Sequence, residues 1–195
     1  MSESVAIIPT YNESGNINNI LENIQDLSIK FDVIVVDDNS PDGTGDIIKD
    51  LIVKKKLNIN ITLIERKVKD GLGSAYIAGF QKAISLNYKF IFQIDCDGSH
   101  NPKKLVEMKK TLVNDSDIVV GSRYIKGISV LHWPLQRLLL SIFANYYVKF
   151  ITGMKVNDST GGFNGYSRDA LESILKNKIT FQGYAFQIQM KFIGY

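Results

Sequence analysis

Asp95 and Asp97 stand one residue apart at the end of an apolar run, Phe90–Ile94, inside the stretch Phe90–Pro102. The run reads as a buried strand. Two carboxylates at its end cannot both enter a core, because burying unpaired charge is expensive. A hard cation such as Mg²⁺ resolves the conflict, since it takes a few carboxylates and completes its shell with substrate phosphate oxygens. The chemistry that follows is a metal site that receives a nucleoside diphosphate. The plainer reading of the same residues is solvated loop acids, or caps for the helix that follows. The tripeptide alone does not separate the two.

Other polar groups also fall where strands should end. Val5–Ile8 reads as a first strand stopped by Pro9, and a polar loop with Tyr11 and Glu13 follows. Ile17, Ile20, Leu21, Ile24 and Leu27 then recur at helical spacing. Phe31–Asp38 is a second strand ending in two acids. One of Asp37 and Asp38 is expected to hydrogen-bond a ribose or base, the job acids do after a second strand in nucleotide-binding sheets. Asp42 reads as a turn residue and Thr44 as the N-cap of a helix running to Val53. Ile59–Ile64 is a third strand.

Gly71-Leu72-Gly73 opens a helix to Leu86. Tyr76 stands where a dinucleotide fingerprint would have its third glycine. Those glycines either make a tight turn with close packing or let amides approach a phosphate. Asn101-Pro102 is a good start for a helix ending near Val113, and Asp117–Val120 is a strand leading to Arg123. An arginine there is a surface residue or a planar clamp for an anion.

Leu131–Thr152 is apolar at helical spacing, but Arg137 and Lys149 interrupt it. It is expected either to lie at a bilayer surface or to be a core helix, and pattern alone leans to the core. A glycine-rich loop and short strand follow over Asn157–Tyr166. Ser167 should cap a helix over Arg168–Lys176, and Gly183–Lys191 is a last helix. Strands alternating with helices, with polar residues at successive strand ends, give an α/β fold whose site lies along one sheet edge.

Composition is consistent with this. The 195 residues, 45% hydrophobic and 22% charged, suit one globular domain. A net charge of +3 does not call for nucleic acid. The single cysteine, Cys96, excludes an internal disulfide and a cysteine-rich zinc site. No signal peptide and no bilayer-spanning run are expected.

The chain resembles the GT-A-fold, family 2 glycosyltransferases, and within them the polyprenol (dolichol) monophosphate mannose synthases. The resemblance rests on IIPTYNE at Ile7–Glu13, VVDDNSPDGT at Val35–Thr44 and GLGSAY at Gly71–Tyr76. It continues in DCDGSHNP at Asp95–Pro102, GSRY at Gly121–Tyr124, DSTGGF at Asp158–Phe163 and GYAFQI at Gly183–Ile188. It implies a Rossmann-like, mostly parallel mixed sheet flanked by helices, one catalytic domain over 1–195, and a membrane-facing acceptor segment over 129–152.

The resemblance also implies roles. Pro9, Tyr11 and Glu13 would line the nucleotide pocket, with Val36 and Asp38 at base and ribose. Asp95, Cys96 through its backbone, and Asp97 would bind the sugar nucleotide. Asp95, Asp97 and Ser99 would hold Mg²⁺ or Mn²⁺. Arg123 would bind phosphate near the reacting centre and Arg137 the lipid phosphate. The implied reaction is mannosyl transfer from GDP-mannose to a polyprenyl phosphate. It would take place peripherally at the cytoplasmic face of a membrane, with or without a separate membrane subunit. Many relatives carry Gln at position 99, though Ser, as here, is also familiar; they usually carry Arg at 164 and Glu at 189, where this chain has Asn and Gln. They also continue past the last helix into a strand and a basic loop, so the usual C-terminal end is expected to be missing. A transferase using a UDP-sugar, or a non-catalytic nucleotide-sugar-binding protein, would share most of these residues. A sugar-nucleotide pyrophosphorylase is disfavoured, because its early loop is glycine- and arginine-rich.

Overall fold

The computed structural model describes residues 2–125 and 134–195, with Arg137 described by its backbone. Six strands form one sheet: β1 (Ser4–Thr10), β2 (Asp32–Asp37), β3 (Ile61–Glu65), β4 (Phe90–Gln93), β5 (Ile118–Val120) and β6 (Asn164–Ser167). Their order is β3-β2-β1-β4-β6-β5, and β6 runs antiparallel to both its neighbours. The carboxyl ends of β1, β2, β4 and β5 therefore share one edge. The reversal of β6 brings the loop in front of it, 158–163, to that same edge.

Helices α1 (Ile17–Gln25), α2 (Thr44–Val53) and α4 (Lys104–Asn114) accompany one apolar cluster. Helices α3 (Leu72–Ser85), α6 (Arg168–Leu175) and α7 (Gly183–Gly194) accompany the other. This is the expected α/β architecture. Strands β1 and β2 are buried on both faces, which explains their continuous apolar runs. Helix α3 lies so close to β1 that a Cβ on Gly79 would collide with the fully buried Ile7. Gly79→Ala is therefore expected to lose roughly 1–3 kcal/mol by overpacking, despite alanine's better helix propensity. Urea unfolding of the two proteins checks this.

Pro9 does not end the first strand, which continues to Thr10. The Ile7 carbonyl accepts from Ile94 N–H. Pro9, two residues on, faces the same side but lies past the end of β4, so its missing N–H costs no ladder bond. Two expected caps are shifted. Gly43, not Thr44, is the N-cap of α2; Thr44 donates its hydroxyl and N–H to Asp42 instead (2.6 and 3.1 Å). Asn101 takes the Lys103 N–H in a turn before α4, which begins two residues after Pro102. Ser167 caps α6 as expected, accepting from Ala170 N–H.

Helix α5 (Leu135–Thr152) overturns the core-helix reading. Leu140, Phe143, Tyr146, Tyr147 and Phe150 are each more than two-thirds exposed. The helix is held by a largely polar seam: Tyr124 donates to Ser141, Lys149 to Asn157, and Asn145 accepts from Ser159. Among the described residues no helix is long and apolar enough to cross a membrane. Residues 129–133 of the expected acceptor segment, and the side chain of Arg137, lie outside the described residues.

Candidate active site

The shared sheet edge opens into a cleft of about 890 Å³. Asp95, Cys96, Asp97, Ser99 and Arg123 all line it, together with His100, Thr160, Gly161, Gly162, Tyr184 and Gln187. The acidic loop begins where β4 stops. Asp95 is partly buried: its Oδ1 accepts from Tyr76 Oη at 2.6 Å, and its N–H donates to His100 Nδ1 at 3.0 Å. His100 Nε2 lies 3.8 Å from Asp95 Oδ2, and its ring stacks on Phe163. Asp97 is exposed and, among the described residues, accepts only the local Ser99 N–H, at 2.9 Å.

Burial lifts the Tyr76 phenol well above its ordinary value and the adjacent Asp95 adds to this, so it stays a donor. Burial pushes the Cys96 thiol up to about 12, so it stays protonated. Burial lowers the His100 pKa, against the opposing pull of Asp95 and Asp97.

Arg123 meets this wall from the end of β5. Its Nε and Nη2 form a bidentate pair with Asp158 (2.7 and 2.6 Å), and Nη2 also reaches Thr160 Oγ1. Asp158 is fully buried and accepts in addition from Arg123 N–H and Gly161 N–H. Burial raises the Asp158 pKa, but the Arg123 bond and charge outweigh it and the net shift is downward. Burial likewise opposes the Arg123 charge, and Asp158 restores it. The arginine expected as a bare anion clamp is thus braced along one edge by a carboxylate.

Behind the 158–162 strap lies Lys191 of α7, 2% exposed. Its ammonium donates to the carbonyls of Ser159 (3.2 Å) and Gly161 (2.6 Å). Burial brings its pKa down to about 7, with Asp158 pulling it up and Arg123 pushing it down. Asn164, where the resemblance leads to an arginine, donates to Gln93, Gln187 and the same Gly161 carbonyl. Gln189 accepts from Thr180 and Phe181 N–H.

The remaining expected residues sit along the same rim but not in the cleft lining. Pro9, the last residue but one of β1, pairs with Val36, whose side chain is wholly buried under α3. Tyr11 is exposed beneath the Lys69 ammonium, 3.7 Å from its ring centre. Glu13 accepts from Asn16 Nδ2. Asp37 accepts from the Thr10 hydroxyl and from the N–H and hydroxyl of Ser40. Asp38 pairs with Arg66 Nε at 3.2 Å, yet its Oδ1 makes no well-formed hydrogen bond. Burial raises the Asp38 pKa and Arg66 opposes it. The Gly71 and Gly73 turn serves packing, not phosphate. A Cβ at either would run into Gln182, whose Oε1 takes the Gly73 N–H.

The glycosyl transferase family 2 model matches residues 5–175. A polyprenol monophosphomannose synthase from Mycolicibacterium smegmatis is 37% identical over 96% of this chain and 70% of its own length. An undecaprenyl-phosphate mannosyltransferase from Micrococcus luteus is also 37% identical, over 96% of this chain and 76% of its own. The chain belongs to glycosyl transferase family 2, a family of glycosyltransferase enzymes. Solved structures bear out the GT-A fold. The Pyrobaculum calidifontis mannosyltransferase PcManGT, in complex with GDP-Man and Mn²⁺, is 20% identical with a TM-score of 0.61, over 88% of this chain and 46% of that one. S. aureus TarS 1-349 is 19% identical with a TM-score of 0.65, over 99% and 55%. The chain thus spans about half the length of these structures.

For a family 2 transferase the donor set fits a hard divalent cation. Asp95, Asp97 and the Ser99 hydroxyl offer oxygen ligands only, which suit Mg²⁺ or Mn²⁺. Among the described residues no group of three or more His, Cys, Asp or Glu could hold a metal. Two carboxylates are a partial shell, which a cation shared with substrate phosphates requires. Sequence reasoning missed Asp158, Tyr76 and Lys191 as parts of this site. Of these, only Asp158 had a usable signal, as an acid in a glycine-rich loop.

Proposed function

We propose that this chain transfers mannose from GDP-mannose to a polyprenyl (dolichyl) phosphate, with Mg²⁺ or Mn²⁺ held by Asp95, Asp97 and Ser99. The supporting observation is that two carboxylates and Arg123, from different strands, face one cleft. The names of the relatives at 37% identity support the substrate classes.

The acceptor is a phosphate monoester and already an anion, so no general base has to remove a proton. Its oxygen attacks the anomeric carbon as the bond to the diphosphate oxygen breaks, and the electron pair leaves on the nucleoside diphosphate. Attack from the opposite face turns an α-linked donor into a β-linked product. Two anions must approach each other, so the site needs positive charge, which Arg123 and, as the resemblance implies, Arg137 would supply. When bound, the divalent cation neutralises the leaving diphosphate. Tyr76 holds Asp95 in place, and Asp158 keeps the Arg123 fork aimed. The exposed apolar face of α5 would rest on the bilayer that carries the acceptor, as a peripheral attachment.

The test is transfer of labelled mannose from GDP-mannose into extractable lipid, with polyprenyl phosphate in detergent or vesicles. Label should appear with Mg²⁺ or Mn²⁺, vanish with chelator and return when metal is restored. Preference for a UDP-sugar would replace the donor assignment. Nucleotide binding without transfer from any donor would mean a non-catalytic binding protein.

A further inference from the structure

The strap 158–162 carries a feature that the transfer chemistry above does not use. Lys191 pulls two carbonyls, those of Ser159 and Gly161, toward the interior. The peptide unit is planar and trans, so each carbonyl has the next residue's N–H pointing the opposite way. The N–H groups of Thr160 and Gly162 are thereby turned away from Lys191. Both residues line the cleft. Neither N–H has a hydrogen-bond acceptor among the described residues, whereas the intervening Gly161 N–H is taken by Asp158. The strap is fixed from its other side as well, since Asn145 of α5 accepts both the N–H and the hydroxyl of Ser159.

We propose that Thr160 N–H and Gly162 N–H form a two-point subsite for a phosphate oxygen, and that Lys191 is the positioning residue that aims them. Backbone amides two residues apart and turned the same way can bind one anion between them, and preorganised donors of this kind cost no reorganisation when charge arrives. A side chain at position 162 would meet Asp95 Oδ2 at 3.1 Å, so the glycine lets this wall approach the acid. The subsite therefore takes an oxyanion once that carboxylate is neutralised. To that extent it rests on the divalent cation of the proposed function. The ligand is a phosphate, from either the nucleoside diphosphate or the lipid monoester.

Lys191 is buried, and its hydrogen bonds among the described residues go to those two carbonyls. Without the ammonium the Gly161 carbonyl keeps Asn164 Nδ2, but the buried Ser159 carbonyl loses its donor. Lys191→Met is therefore expected to lower the melting temperature whatever its role, since an orphaned buried acceptor costs stability. A merely structural lysine would not change how the two amides respond to a bound phosphate.

The experiment uses ¹⁵N-labelled full chain with Mg²⁺, titrated separately with GDP and with a short-chain polyprenyl phosphate. The Thr160 and Gly162 amide protons should move downfield with one of the two probes, which identifies the phosphate bound. In Lys191→Met that shift should vanish and affinity for that probe should fall about tenfold, the loss of one to two charge-compensating hydrogen bonds. The subsite is overturned if both probes bind and neither amide moves, or if Lys191→Met keeps shift and affinity. The positioning role is overturned if Lys191→Met melts lower yet the two amide protons still move on binding. A wild-type chain that binds neither probe removes the functional reading as well.

Discussion

Replacing Asp97 with alanine is expected to reduce sugar transfer by about 10²–10³-fold, the scale on which losing one preorganised charge partner of a transition state acts. The melting temperature should not move by more than about a degree. Asp97 is exposed, and among the described residues its one hydrogen bond is from the N–H of Ser99 two residues on, so no buried described group depends on it. The loss should appear in metal-dependent nucleotide binding as well as in turnover. Asp95→Ala is the informative contrast. It removes the acceptor of the fully buried Tyr76 hydroxyl, so it should cost stability and activity together. Metal-dependent binding that survives Asp97→Ala would remove this acid from the site. Full activity in that variant would remove the proposed mechanism.

The two acids were legible for a physical reason. An apolar run must be buried, and charges at its end must then emerge at a sheet edge. The same logic placed Asp38, which directly follows the buried β2, and Arg123, which stands three residues past the half-buried β5. What the sequence hid were contacts made across the chain. Arg123 and Asp158 lie 35 residues apart, and only the antiparallel return of β6 brings the strap to β5. Lys191 looks like any basic residue near a helix end. Its burial depends on α7 lying behind the strap, which helical spacing does not encode.

Other differences have local causes. The glycines before α3 were open to two readings, and the choice belongs to Gln182, more than a hundred positions later. Caps at Thr44 and Asn101 were misplaced because Asp42 and Asn101 bond their own loops first. Helix α5 shows a limit of periodicity itself. An apolar stripe says that a surface avoids water, and core and bilayer satisfy that equally. Only the three-dimensional neighbours of Leu140, Phe143 and Phe150 show that no core covers them.

Asp158→Asn tests how much of the site is made by the strap. The variant keeps the shape of a carboxylate that is fully buried and accepts four hydrogen bonds. One of its two terminal atoms becomes a donor facing donors. Arg123 and Lys191 are left as neighbouring cations without their shared counter-charge. Breaking one partner of such a pair should cost about 3 kcal/mol, toward the lower end for buried pairs because Arg123 keeps some contact with water. Activity should fall too, since the fork of Arg123 loses its brace.

The pH dependence separates charge from shape. The folded pKa of Asp158 lies below its ordinary value, because the Arg123 bond outweighs burial. Its charge therefore contributes fully above the ordinary carboxylate pKa of about 4, and that contribution is lost as pH falls through the folded value. Urea unfolding of wild type and Asp158→Asn should differ most near pH 6 and by less at pH 8, because Asp158 holds up the Lys191 pKa of about 7 and its loss lets that lysine deprotonate earlier. On the acid side the gap should begin to close below about pH 4 and vanish only as pH falls through the lower folded value of Asp158. A gap of the same size at low pH would mean that the asparagine acts through its misplaced donor alone. The ion pair would then contribute nothing to holding Arg123 at the cleft.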